Sequence, residues 1–190
     1  MKLQIFIVST LLIIGCSQPT DVADPTKSHI PIGAIVQEYE SVPGLVRATV
    51  VIDNKVIAEG DFLNDLHHGS WITYDPTDGK VKTIVTYLNG KKQGVELIFD
   101  TNGYVSEKSY YHDDQLSGEY ILFKRKNIIE KKNYLGGKLH GLQQRFYTSG
   151  VLMEEKNYVN NVVDGAAKWF DQDGNLTIEY NYSMGELVEE

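Results

Sequence analysis

From residue 46 onward, apolar and polar positions alternate in short runs separated by Gly, Asn and Asp. Alternation with a period of two marks a strand with unlike faces, and no segment carries an apolar stripe at the helical period of about 3.6 residues. The run Gly94-Val95-Glu96-Leu97-Ile98-Phe99 predicts a strand opening at its glycine. Asp100-Thr101-Asn102-Gly103 predicts a tight turn, because Asn-Gly supplies the positive φ that hairpins need, and Tyr104 to Tyr111 predicts the returning strand. Strands joined only by short turns must be antiparallel neighbours.

The same hairpin recurs. One glycine returns at Gly69, Gly94, Gly118, Gly141 and Gly165, at spacings of 25, 24, 23 and 24 residues. Five residues after each stands Tyr74, Phe99, Phe123, Phe146 or Phe170, and seven residues before each stands Phe62, Tyr87, Tyr111, Tyr134 or Tyr158. Turn residues follow at Gly79, Gly103, Asn127, Gly150 and Gly174, and units join through Gly90, Gly137, Gly185 or Asn160-Asn161. Tyr182 opens a further unit with Glu189 where the glycine should stand.

Both faces read as apolar near the turn and polar in the middle, as in Tyr134-Lys132-Glu130-Ile128 against Asn133-Lys131-Ile129. That pattern predicts an all-β fold: an elongated antiparallel meander of repeated hairpins in a mostly single-layer sheet, held by stacked aromatics and backbone ladders between neighbours. The domain reading is a degenerate lead-in at 46–61, five full units at 62–181 and a partial unit at 182–190. Tyr87-Leu88-Asn89-Gly90-Lys91-Lys92-Gln93-Gly94 resembles the bacterial variant of the MORN repeat, Tyr-x-Asn-Gly-Lys-x-x-Gly, and Tyr134 to Gly141 resembles it with one change. The resemblance implies a scaffold or a protein- or lipid-binding module, and many bacterial proteins with this variant are labelled antitoxins.

The first residues change the picture from fold to address. Met1-Lys2 precedes a mostly apolar run from Leu3 to Ile14, too short for the roughly 20 residues of a membrane span, and then Gly15-Cys16. This resembles the leader and lipobox of bacterial lipoproteins, which implies cleavage after residue 15 and lipid on Cys16. Residues 16–45 then read as lipidated cysteine and Pro-containing tether, with Ile30 to Tyr39 apolar enough to dock as a first strand. By resemblance to known sorting, Ser17 after the cysteine implies the outer membrane.

Charge and chemistry narrow the function by exclusion. Eighteen Lys and Arg against 26 Asp and Glu give −8, and losing Lys2 with the leader makes it −9, which argues against nucleic acid and against polybasic lipid adhesion. A single cysteine leaves no disulfide framework. His67-His68 near Asp65 and His112 near Asp113-Asp114 lack further ligands at zinc-like spacing, and Asp171 to Asn175 reads as a turn, so no metal or cofactor is expected. Glu130/Lys132 and Glu154/Lys156 read as a ladder of surface ion pairs, and a Glu130–Glu154 glycosidase pair as the weaker alternative. The expectation is therefore a non-enzyme. Trp71, Tyr110, Tyr120, Tyr147, Trp169 and Tyr180 lie outside the repeated columns, and are candidates for an outward binding surface against the alternative of cross-strand packing. Partners are then the membrane through Cys16 and an unidentified protein. A toxin neutralised by occlusion and a glycan stacked on the aromatics are the alternatives.

Overall fold

A computed structural model describes residues 29–188. The leader, Cys16 and most of the tether lie outside these residues. The first strands are β1 (Ile35–Glu38), β2 (Leu45–Ile52), β3 (Lys55–Leu63), β4 (Leu66–Tyr74), β5 (Val81–Leu88) and β6 (Lys91–Phe99). They are followed by β7 (Val105–His112), β8 (Gln115–Leu116), β9 (Gly118–Lys124), β10 (Asn127–Leu135) and β11 (Lys138–Leu139). The last are β12 (Gly141–Phe146), β13 (Leu152–Val159), β14 (Val162–Phe170), β15 (Leu176–Ser183) and β16 (Glu186–Leu187). All sixteen form one open antiparallel meander in chain order, with the short β8 and β11 beside β7 and β10. The all-β, single-sheet architecture expected from the pattern is the architecture observed. The sheet also begins ahead of residue 46, because β1 pairs with β2 from Ile35↔Thr49 to Glu38↔Val46.

The turns explain the asparagines and glycines. Asn64-Asp65, Asn89-Gly90, Asp113-Asp114, Gly136-Gly137, Asn160-Asn161 and Met184-Gly185 all have positive φ at both residues, the conformation of two-residue hairpins matched to strand twist. These six turns line one rim of the sheet and are tied in a column. The amides of Gly90, Asp114, Gly137, Asn161 and Gly185 donate to the carbonyls of His67, Lys92, Leu116, Leu139 and Val163, at 2.8–3.1 Å. Each acceptor stands two residues before an anchor glycine, so every unit's turn is clasped by the preceding unit.

The anchor glycines behave differently from the expectation that a strand opens on them. Strand β6 begins three residues before Gly94, and Gly94 lies within it at φ 97°. Val85 pairs with Glu96 and Tyr87 with Lys92, so three residues face Thr86 alone in a bulge. The other anchors have φ between 73° and 113°. On its far side each pairs squarely with the next closing tyrosine: Gly69↔Tyr87, Gly94↔Tyr111, Gly118↔Tyr134, Gly141↔Tyr158 and Gly165↔Tyr182. The residue before the tyrosine serves the bulge. Thr86 Oγ1 donates to the Val95 carbonyl, Asn133 Nδ2 to that of Leu142 and Asn157 Nδ2 to that of Asp164.

Register assigns the two faces. The front face carries the closing tyrosines and, two residues back, a row formed by Ala48, Gly60, Trp71, Val85, Glu96 and Ser109. Ala48, Ala58, Phe62, Val85, Ala167 and Ser109 are at most 9% exposed and all lie on this face, while Ile121 is their counterpart behind. What core there is therefore sits mainly in front, with four of its six front-face residues in the first four full strands.

Candidate functional site

The six variable aromatics do not form one surface. Trp71 is half-buried in the front-face core, edge-on to Phe62 at 5.5 Å and to His67 at 5.1 Å between centroids. A Cβ on Gly60 would come within 2.5 Å of its ring, so Trp71 lies flat on that glycine and is a packing residue. Tyr110 faces the other way, paired with Val95 and covered by Lys108 Nζ at 4.9 Å from its ring centre. Tyr147 sits at the opposite rim, its hydroxyl donating to the Phe170 carbonyl at 2.9 Å.

Tyr120, Trp169 and Tyr180 remain on the front face, all in the C-terminal half. Trp169 and Tyr180 meet edge-on at 5.9 Å, with Lys156 Nζ 4.9 Å from the indole centre. Tyr120 meets Tyr134 edge-on at 6.2 Å and lies under Lys132 Nζ. Burial first, and Glu107 second, push the Tyr120 hydroxyl above its ordinary range. Tyr111 is pushed up to about 12 by burial and then by Glu96. Both phenols therefore stay neutral donors at physiological pH.

Between these aromatics runs a charged row. Glu130, Arg145, Glu154 and Trp169 stand opposite one another on β10, β12, β13 and β14. The row beside it holds Tyr120, Lys132, Gln143 and Lys156. Lys132 Nζ is 2.8 Å from Glu130, Lys156 pairs with Glu154, and Arg145 Nη1 lies 3.4 Å from Glu154. The recurrent Glu-x-Lys motif thus pairs within its own strand, and the arginine, which the repeat pattern did not single out, supplies the cross-strand tie. Glu130 and Glu154 flank Arg145 two strand spacings apart, about 10 Å between backbones.

A groove follows this row. Its upper part, about 200 Å³, is lined by Glu130, Gln143, Arg145, Glu154, Lys156 and Tyr158. Through Glu130 and Arg145 it meets a space of about 250 Å³ walled by Leu122, Ile129, Phe146 and Met153. Through Lys124, Ile129 and Thr148 that space meets a mouth of about 260 Å³ bearing Arg125 and Asn127. It crosses a thin seam. Strands β10 and β12 pair only at Glu130↔Arg145 and Lys131↔Gln144, whereas β12 and β13 pair at six positions. A register shift at Ile128/Glu130 on the β9 side of β10 leaves Ile129 unpaired there. Above, Gly141 at φ 92° turns the chain aside.

The other sequence candidates are placed as follows. His67 lies against Phe62, Trp71 and Tyr87 at 4.4–5.1 Å, and burial followed by His29 lowers its pKa. Asp65 accepts from the amides of His29 and Ile30, and His112 Nδ1 is 3.0 Å from Gln93 Nε2. Asp171 Oδ1 accepts from the amides of Asp173 and Asn175, closing the hairpin turn that its sequence suggested. Cys16 lies outside the described residues.

Fold and face together define an open repeat protein: one sheet, one hairpin used over and over, and a grooved polar-aromatic front. The family model of the MORN repeat variant matches residues 139–160 and 163–184, so this part of the chain carries repeats of that kind. Each matched segment ends on the first residue of a clasped turn, Asn160 and Met184. No curated protein matches the chain.

Proposed function

We propose that the protein is a non-catalytic lipoprotein of the bacterial envelope, held by lipid on Cys16, whose repeat sheet serves as a protein-binding or scaffold surface. The observation that carries the binding role is the front of the C-terminal half. There Tyr120, Trp169 and Tyr180 alternate in register with Lys132, Arg145 and Lys156 on a broad, open sheet. Aromatic rings and guanidinium groups held rigid on a flat surface are the side chains that dominate protein interfaces. The envelope address rests on the order positive start, apolar run, Gly15 and Cys16. Two or more acyl chains on one residue would anchor it stably.

Replacing Cys16 by Ala is expected to move the protein from the membrane fraction to the soluble fraction and to abolish incorporation of labelled palmitate. Unchanged membrane association of that variant would end the anchoring claim.

A further inference from the structure

The groove is ordered by chemistry along its length: polar at the Tyr158 end, apolar in the middle, basic at the mouth. We infer that it receives an extended acidic segment of a partner protein, with one aliphatic or aromatic side chain seated against Leu122, Ile129 and Met153 and carboxylates lying against Lys124 and Arg125. This deepens the protein-binding reading and rests on it.

Three observations converge on that occupant. The first is charge. In a chain of net charge −8, the groove is lined by Lys124, Arg125, Arg145 and Lys156 against only Glu130 and Glu154. Both of those carboxylates are already ion-paired, and Arg145 keeps 57% of its side chain exposed. Lys124 and Arg125 are exposed, and none of the ion pairs among the described residues involves either of them. A negatively charged ligand is therefore steered to this side of an otherwise acidic molecule.

The second is an open donor. Gln143 Nε2 is buried at the polar end and donates to no partner among the described residues, an arrangement that costs stability unless something accepts its hydrogens. A peptide carbonyl in the upper groove would do so. The third is form. The lining runs along the strands from Tyr158 to the rim at Arg125, and an extended peptide is the protein segment whose length and repeat match such a path.

The test is photo-crosslinking of the full-length protein in its native host, with p-benzoylphenylalanine introduced at Leu122 in the groove or at Lys131 on the back face. The expected result is a crosslink from position 122 to an Asp- or Glu-rich peptide. Its yield should fall at least fivefold when Lys124 and Arg125 are both changed to Glu, and should persist when Lys124 is changed to Arg. The double charge reversal lies at an exposed turn and strand end, so folding of the sheet is checked independently by its circular dichroism. Protein crosslinks from position 131 alone, or from 122 to a segment without acidic residues, would overturn the groove assignment while leaving protein binding intact. Absence of protein crosslinks from both positions would overturn both readings.

Discussion

At the scale of single residues, position within the sheet decides role more than residue type does. Trp71 and Trp169 occupy neighbouring rows of one face, yet Trp71 is sealed onto Gly60 and Phe62 while Trp169 stands beside exposed Tyr180. The sequence marked both as variable aromatics, and nothing in it separated them, because bulges shift the pairing that places a ring over a glycine or over open sheet. His67 shows what such enclosure does. Half-buried among Phe62, Trp71 and Tyr87, it has a pKa below its ordinary 6.5, first through desolvation and then through His29. The folded state thus favours the neutral ring. Its contribution is complete above pH 6.5 and is lost as the pH falls through that value towards the lower folded pKa. Urea midpoints measured from pH 8 to pH 5 should fall, and His67→Gln should fall less steeply over the same interval. An equal slope in the two proteins would assign the titration elsewhere.

At the scale of the element, each hairpin is built from two kinds of glycine that the repeat separates by position but not by conformation. Gly137, in a clasped turn, has φ 76° with no atom within 4 Å of an added Cβ, and Asn161 holds the equivalent place at φ 72°. Gly137→Asn is therefore expected to change stability by less than about 0.5 kcal/mol. Gly118, in the bulge, has φ 113°, and its Cβ would meet Tyr110 Cβ at 3.3 Å. Gly118→Ala should cost about 1–3 kcal/mol, since backbone strain and crowding act together. Equilibrium denaturation of the two variants checks the contrast, and similar losses would mean that both positions act only as turns. The repeat period, the turns and the antiparallel order were legible because each depends on local chemistry repeated five times. The strand starts were not. A glycine opposite a tyrosine reads as punctuation, and only the pairing of Tyr87 with Lys92 shows that the strand is already under way at Lys91. The Glu130 and Glu154 ion pairs were legible for the same local reason, whereas Arg145 between them required cross-strand register.

At the scale of the molecule, strands touch chiefly their sheet neighbours, so stability should be a sum over units and the joints between them. That arrangement makes a prediction about what can be removed. Deleting residues 118–140 joins Ser117 to Gly141 and takes out one period from anchor to anchor. Strand β12 would then meet β7 with the same bulge, the same clasped turn and the same direction, so the shortened protein should fold cooperatively, with a urea m-value reduced in line with the lost surface. Deleting residues 118–126 removes β9 and its turn alone. β10 would then run against its former direction, with Tyr134 carried to the wrong rim and its pairing to Gly118 gone. This shorter deletion should abolish the cooperative transition despite removing fewer residues. Circular dichroism and urea unfolding of the pair measure the difference directly. If both unfold, specific long-range packing rather than neighbour pairing holds the sheet. If the 23-residue deletion folds as expected, it also removes Leu122, Lys124, Arg125, Ile129 and Glu130 from the groove, and the acidic partner should be lost while the sheet stands.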